Sequence, residues 1–430
     1  MLSLLARWLY SFALWLLTPV YLVRLWWRGS AEPAYRKRLR ERIGRYALPP
    51  RRGQGGVVWV HAVSLGETRA AAPLVQALRN ELPQMRLLLT CSTATGVTAG
   101  RDLLQPEDDQ AWFPYDTPGA VRRFLKRYRP AVGVIMETEV WPNLMHAARN
   151  AHVPMVLANA RLSAKSQRKG RRLDILLRPA LAAFNRVLAQ TARDAQRLRE
   201  SGARPVEVCG NPKFDIAPPR ALLERGRQWR QAVPRPVVLM AVSREGEEQP
   251  LLDAWRALPE PRPLLVVVPR HPQRFDEVAA LIERNGFSLQ RRSAWVEALP
   301  PAAAQADVWL GDSMAELPLY YALADVALLG GSFAPLGGQN LIEAAACGCP
   351  LVMGPHTFNF EDAALLAIEA GAAVRMQDLQ HAVRRAVALA NDPRRVEWVE
   401  AALAFAGSHR GATERMAQRI AKLLTGLDSA

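Results

Sequence analysis

From Val57 onward the chain alternates short apolar runs with amphipathic stretches, and this rhythm restricts its fold more than any other feature. VVWVHAV, RLLLTCS, VGVIMET, VPMVLANA and RVLAQT read as strands, with helical patterns between them such as Thr68–Leu82 and Gly119–Tyr128. Strands alternating with helices of this length build parallel sheets with crossover connections. The pattern breaks at GNPKFDIAPPR (Gly210–Arg220), where a glycine and three prolines intervene. It then restarts with VVLMAVS, LLVVVPR, DVWLGD, DVALLGGS and PLVMGP, and a helix is expected over Asn340–Cys347. The expectation is an α/β protein of two Rossmann-like, doubly wound domains facing a cleft. Its length of 430 residues suits two cores of similar size. Such sheets hold ligands beyond the carboxyl ends of their strands, so residues just after each run are the ones to inspect.

Ahead of this pattern lies Met1–Gly29, uncharged between Arg7 and Arg24 and rich in Leu, Trp, Tyr and Phe. Trp8 and the Trp26–Trp27 pair stand at its ends, where amphipathic rings favour a membrane interface. No small-residue cleavage site follows, which argues against a secretory signal. The segment reads as an uncleaved anchor that either spans the membrane or lies in its interface. Arg24, Arg28, Arg36, Lys37, Arg38, Arg40, Arg42 and Arg45 follow, and the positive-inside rule places that end in the cytoplasm. The expected organisation is an anchor over 1–30, an N-terminal domain over 31–212, a C-terminal domain over 213–410 and a closing helix over 411–430. That helix, patterned over Ala412–Leu427, is expected to cross back to the first domain. A net charge of +16 implies an anionic partner. The basic residues form no aromatic-interleaved RNA motif and no helix-turn-helix, so no nucleic-acid partner is expected. Cys91, Cys209, Cys347 and Cys349 show no zinc-ligand spacing and read as reduced structural thiols.

Four strings carry candidate chemistry. In VWVHAVSLGETRAA, Ser64 and Gly66 turn a strand into a helix led by Glu67. Glu67 either removes a proton from an acceptor hydroxyl or only complements the helix dipole. In IMETEVWPNL, Glu137 and Glu139 share a face if the strand period continues. They hold sugar hydroxyls, or one caps the next helix or pairs with Arg161. NARLSAKSQRKGRR gathers Arg161, Lys165 and further cations past a strand end, as a phosphate contact or a solvated basic face. In GGSFAPLGGQNLIEAAACGCP, Gly337 and Gly338 open a turn into a helix at Gln339–Asn340, with Glu343 one turn inside. Strand, glycine loop and helix in this order suit an anion, though a tight packing turn is the alternative. Ser243, Arg244, Arg270 and His271 also follow strands of the second half, and Lys213 lies in the linker. No DxD motif or His/Asp ligand set appears, so no metal is expected and protein cations would stabilise a leaving group.

Taken in order, HAVSLGE, FPYDTPGAVRRFL with ETEVWPN, NARLS, GNPKFD, SREGEE, VPRHPQRF, GDSMAELPLYYALAD and the GGSF-to-GPHTFNF block resemble the bacterial Kdo (3-deoxy-D-manno-octulosonic acid) transferase family. The resemblance implies a metal-independent, inverting GT-B glycosyltransferase of lipopolysaccharide biosynthesis. It implies CMP-β-Kdo as donor, no separate cofactor, and the lipid A precursor as acceptor, at the cytoplasmic face of the inner membrane among its phospholipids. It makes Glu67 the catalytic base and assigns CMP to Arg270, His271, Gly337–Asn340 and Glu343. By charge and position Lys213, Ser243 and Arg244 join the donor site. Ser64, Gly66, Glu137, Glu139, Arg161 and Lys165 are expected at the acceptor side. Glu316 and Tyr320 also match a family motif. Gln339 departs from the family's usual His, which removes any role needing a protonated ring. The alternative is a GT-B transferase that moves a UDP-sugar onto a membrane lipid.

Overall fold

The computed structural model describes residues 2–47, 55–215, 217–295 and 298–425. Met1–Asp215 with Gly411–Ala430 forms one compact unit, and Ile216–Arg410 forms another.

The first unit is built on β1 (Val57–His61), β2 (Arg86–Cys91), β3 (Asp109–Trp112), β4 (Val132–Met136), β5 (Met155–Ala160), β6 (Arg186–Ala189) and β7 (Val206–Val208). They run parallel in the order β3-β2-β1-β4-β5-β6-β7. Its helices are α1 (Leu2–Arg28), α2 (Leu65–Glu81), α3 (Ala94–Gly100), α4 (Pro118–Tyr128), α5 (Pro142–Asn150), α6 (Ala164–Gly170), α7 (Asp174–Leu181) and α8 (Ala192–Glu200). Alternate strand residues feed the two faces. Val58, Val60, Leu87 and Leu89 pack with Leu74 and Leu78 of α2, whereas Trp59, Leu88 and Ile135 pack with Phe124 of α4 and Leu144 of α5. Both faces are covered, which is why the strands read as continuous apolar runs. The strand order reverses between β1 and β4, the switch point at which doubly wound sheets bind ligands.

The second unit repeats the plan with β8 (Val237–Ser243), β9 (Leu264–Pro269), β10 (Leu289–Arg291), β11 (Val308–Leu310), β12 (Val326–Leu329), β13 (Leu351–Met353) and β14 (Ala373–Arg375). All are parallel, in the order β10-β11-β9-β8-β12-β13-β14, with the reversal between β8 and β12. Helices α9 (Arg220–Ala232), α10 (Glu248–Arg256), α11 (Phe275–Arg284), α12 (Leu317–Leu323), α13 (Leu341–Ala346), α14 (Glu361–Glu369), α15 (Leu379–Ala390) and α16 (Arg395–Ser408) complete it.

A last helix, α17 (Ala412–Thr425), packs on α2 and buries Met416, Ala417 and Ile420 in the first unit's core. Leu427, where the sequence pattern ends, lies outside the described residues. Asp215 holds the start of α17, its carboxylate accepting from the N–H groups of Gly411 at 2.7 Å, Ala412 at 3.2 Å and Thr413 at 2.7 Å. Lys213 and Phe214 therefore belong to the first unit, and the division falls three residues later than position 212. Helix α2 begins at Leu65, ahead of the expected Thr68, because Ser64 caps it. Part of the basic block after α1 is not a solvated face. Arg42 is buried, donates to the carbonyls of Phe113 (3.3 Å) and Ser92 (2.8 Å), and lies over the Trp112 ring.

Candidate active site

Ser64 leaves β1 in an extended conformation and its Oγ accepts from the Glu67 N–H. The Glu67 carboxylate reaches back, accepting from the Val63 N–H at 2.8 Å and from Ser64 Oγ at 3.2 Å. This is reciprocal capping, so the stabilising role considered for Glu67 is present in the structure. Each carboxylate oxygen has a further lone pair, so a capped Glu67 can still accept a proton. Burial raises its pKa above the usual carboxylate range; the Val63 N–H opposes this and the charge of Glu137 adds to it. His61, in the same motif, is fully buried against Thr90, and burial pushes its pKa down to about 3, leaving a neutral core residue.

Strand β4 stops at Met136, and Glu137 takes a left-handed conformation with φ 62°. The period-two argument for a shared face of Glu137 and Glu139 therefore does not hold; a turn places them. They nevertheless form one electrostatic group with Glu67. Burial, then Glu67 and Glu137, push the Glu139 pKa up to about 7. Three carboxylates thus gather after β1 and β4, the strands that flank the switch point. Arg161 is exposed just past β5, and it joins burial in lowering the Lys213 pKa while Glu137 raises it. Lys165 lies exposed on α6, and Gly66 is exposed on the first turn of α2. Beside Glu139 opens a cavity of about 680 Å³ with an apolar wall of Val140, Leu157, Leu162, Leu177 and Leu181.

In the second unit, β8 ends with a break in register between Ala241 and Ser243, and Val242 has φ 60°. A β-branched residue there is strained, and such strain concentrates at functional strand ends. The adjoining Gly330 has no side chain for a reason, since a Cβ would overlap the Val242 carbonyl. Ser243 turns inward: it is buried, and its hydroxyl donates to Glu248 at 2.8 Å, which also pairs with Arg274 at 2.7 Å. Its place is in a supporting network rather than at an open surface. The Arg270 N–H donates to the Ser243 carbonyl at 3.0 Å, its side chain is exposed, and His271 starts the next turn.

After β12, Gly337 and Gly338 adopt φ 88° and 74°, and the Gly338 N–H is engaged by the Gly331 carbonyl at 2.8 Å. That amide is not available to an anion. The Arg244 and Gln339 side chains both lie against Gly331. Asn340 caps α13, accepting from the Ile342 N–H at 3.2 Å, and burial raises the Glu343 pKa. Ser243, Arg244 and the glycine turn therefore flank the β8/β12 switch point. Glu316 and Tyr320 serve the framework: Glu316 pairs with Arg292 at 2.8 Å, and the buried Tyr320 hydroxyl meets Ser313 at 2.8 Å.

Known proteins are similar to this sequence. Residues 37–216 match the family model described as 3-deoxy-D-manno-octulosonic-acid transferase (kdotransferase). A 3-deoxy-D-manno-octulosonic acid transferase of Bordetella pertussis is 49% identical over 95% of this chain and 97% of its own length. The chain belongs to the Kdo transferase family. A Haemophilus influenzae Kdo transferase is 34% identical over 89% of this chain and 90% of its own. A Rickettsia africae glycosyltransferase structure, 12% identical, shares the fold with a TM-score of 0.55, covering 86% of this chain and 99% of that one. The chain is a glycosyltransferase with the GT-B fold.

Two residues of this Kdo transferase escaped the sequence reading. Glu247, buried in the SREGEE string, accepts from the N–H groups of Gly331 (2.8 Å), Arg244 (2.9 Å), Phe333 (3.2 Å) and Ala334 (3.3 Å). It ties the loop after β8 to the glycine turn after β12. Asn159, the next-to-last residue of β5, has φ 54°, and among the described residues its buried Oδ1 has no hydrogen-bond partner. Its only sequence signal was its place in NARLS.

Proposed function

We propose that this chain transfers Kdo from CMP-β-Kdo to the lipid A precursor lipid IVA, in lipopolysaccharide biosynthesis at the cytoplasmic face of the inner membrane. The observation that carries the reading is Glu67: a half-buried carboxylate at a switch point, raised in pKa, among two further carboxylates. Burial and like charge are what turn a weak carboxylate base into one suited to a sugar hydroxyl near neutral pH. Glu67 takes the proton of the acceptor hydroxyl as its oxygen bonds to the Kdo anomeric carbon. CMP leaves with the electron pair of the broken bond, on the opposite face, so configuration inverts. Arg244 and Arg270 of the second unit supply cations for the departing phosphate, with no metal required. The apolar-walled cavity beside Glu139 supports an acyl-bearing acceptor. Helix α1 is long and apolar enough to cross a membrane and supports membrane attachment.

The test is transfer to lipid IVA with EDTA present, read by mass spectrometry, against Glu67→Gln. The glutamine keeps an acceptor for the Val63 N–H, so the cap survives while the base is lost. We expect kcat to fall about 10²–10⁴-fold with CMP binding intact. Near-normal turnover, or product from UDP-sugars in place of CMP-Kdo, refutes the reading.

A further inference from the structure

The first unit holds a second cavity, of about 710 Å³, that the transfer chemistry does not use. It lies between α4 and α5 under the start of α1. It also reaches Pro130–Ala131 and Ala151–Val153, the segments leading into β4 and β5. Those are the amino-terminal ends of the strands, whereas Glu67 follows a carboxyl end. Arg7, Arg122, Lys126, Arg129, His146 and His152 line it, over apolar groups such as Leu125 and Ala147, and no carboxylate does. Arg122 donates to the Pro118 carbonyl at 3.1 Å and Arg7 to Asn143 Oδ1 at 3.3 Å, and of the two Arg7 also feels the charge of Asp116. The Asp116 carboxylate lies outside the lining, engaged by Tyr10 at 3.1 Å and by the N–H groups of Asn143 and Leu144. Four strong cations around one cavity repel one another, and an anion relieves that repulsion.

The setting says which anion. Along α1, Ala6, Arg7, Tyr10, Ser11, Leu14, Thr18, Leu22 and Leu25 are the sheltered positions and recur with the helical period on one face. Trp8, Phe12, Trp15, Val20 and Trp27 are 63–72% exposed on the remaining surface. Ser11 and Tyr10 fix this docking through Asn143 at 3.0 Å and Asp116. A helix docked lengthwise on α5 and α7 cannot cross a ~30 Å hydrocarbon core without carrying their charged residues in with it. It lies in the interface instead, with its aromatic face in lipid and the cavity at headgroup depth.

We propose that this cavity binds the phosphate headgroup of an anionic glycerophospholipid. The proposal rests on the membrane attachment read from α1, not on the transfer reaction. Native mass spectrometry of the detergent-solubilised full chain, given phosphatidylglycerol or phosphatidylcholine without donor or acceptor, tests it. One phosphatidylglycerol adduct should be retained in preference to phosphatidylcholine. Arg122→Ala/Arg129→Ala should weaken it about 30-fold, at about fivefold per cation. The charge-matched Arg284→Ala/Arg384→Ala, on the second unit, should leave it unchanged, with circular dichroism verifying that both variants are folded. Glu67→Gln should keep the adduct, so failure of the transfer reading leaves this one standing. Equal retention of the two lipids, an adduct indifferent to the Arg122/Arg129 pair, loss in Glu67→Gln, or displacement by inorganic phosphate alone would each overturn it.

Discussion

Removing the Glu247 side chain should damage the second unit more than removing any exposed cation of the donor site. Four backbone N–H groups, from Arg244, Gly331, Phe333 and Ala334, lose their acceptor together in Glu247→Ala. An unsatisfied buried donor costs about 1–3 kcal/mol, and the loop can relax or admit water to only some of the four. Against this stands relief from burying a charge, since burial raises the Glu247 pKa despite those donors. The balance is a loss of about 3–5 kcal/mol. In a unit of this size that lowers Tm by about 6–20 °C. Glu247→Gln keeps one acceptor oxygen and no charge, and should lose only about 1–2 kcal/mol. The sign of the pH effect follows from the raised pKa. The stability that Glu247 contributes is fully present below its unfolded value near 4.5 and is lost as pH rises through the folded value. The deficit of Glu247→Gln against wild type should therefore shrink as pH rises above about 4.5. Differential scanning calorimetry of the full chain with and without CMP measures both quantities, and CMP affinity should fall in the alanine variant. An alanine variant with unchanged Tm and unchanged CMP affinity would show that the glycine turn holds itself and would refute the reasoning.

Asp215→Ala removes the acceptor of three N–H groups at the start of α17. It should cost about 2 kcal/mol, at the high end for a helix cap, and speed hydrogen exchange in α17; unchanged exchange there would contradict it. Glu139→Gln cannot ionise, whereas Glu139 holds its proton up to about pH 7 in the folded chain. Wild-type stability from this group is full below about pH 4.5 and lost as pH rises through about 7, so the variant should gain on wild type by about pH 8, read as a Tm difference. A Tm difference independent of pH would remove Glu139 from the carboxylate group.

What the sequence revealed and what it hid divide along a physical line. Apolar runs covered on both faces are visible at once, which is why the five central strands of each sheet and the residues that follow them were legible. The four strands that were not, Asp109–Trp112, Val206–Val208, Leu289–Arg291 and Ala373–Arg375, all lie at sheet edges, where strands are short and only partly covered. The same limit governs the site. Ser64 and Glu67 are three residues apart, so their pairing is written locally, whereas the run VGVIMET overshoots the end of β4, and with it the turn at Glu137, by two residues. Three of the four donors to Glu247 stand 84–87 residues away, and those to Asp215 stand 196–198 away. No local pattern marks either one. Both are acids in a strongly basic chain whose carboxylates close loops on backbone N–H groups. In such a chain, an acid beside the expected arginines of an anion site is more informative as a clasp for that site's backbone than as a rival for its ligand.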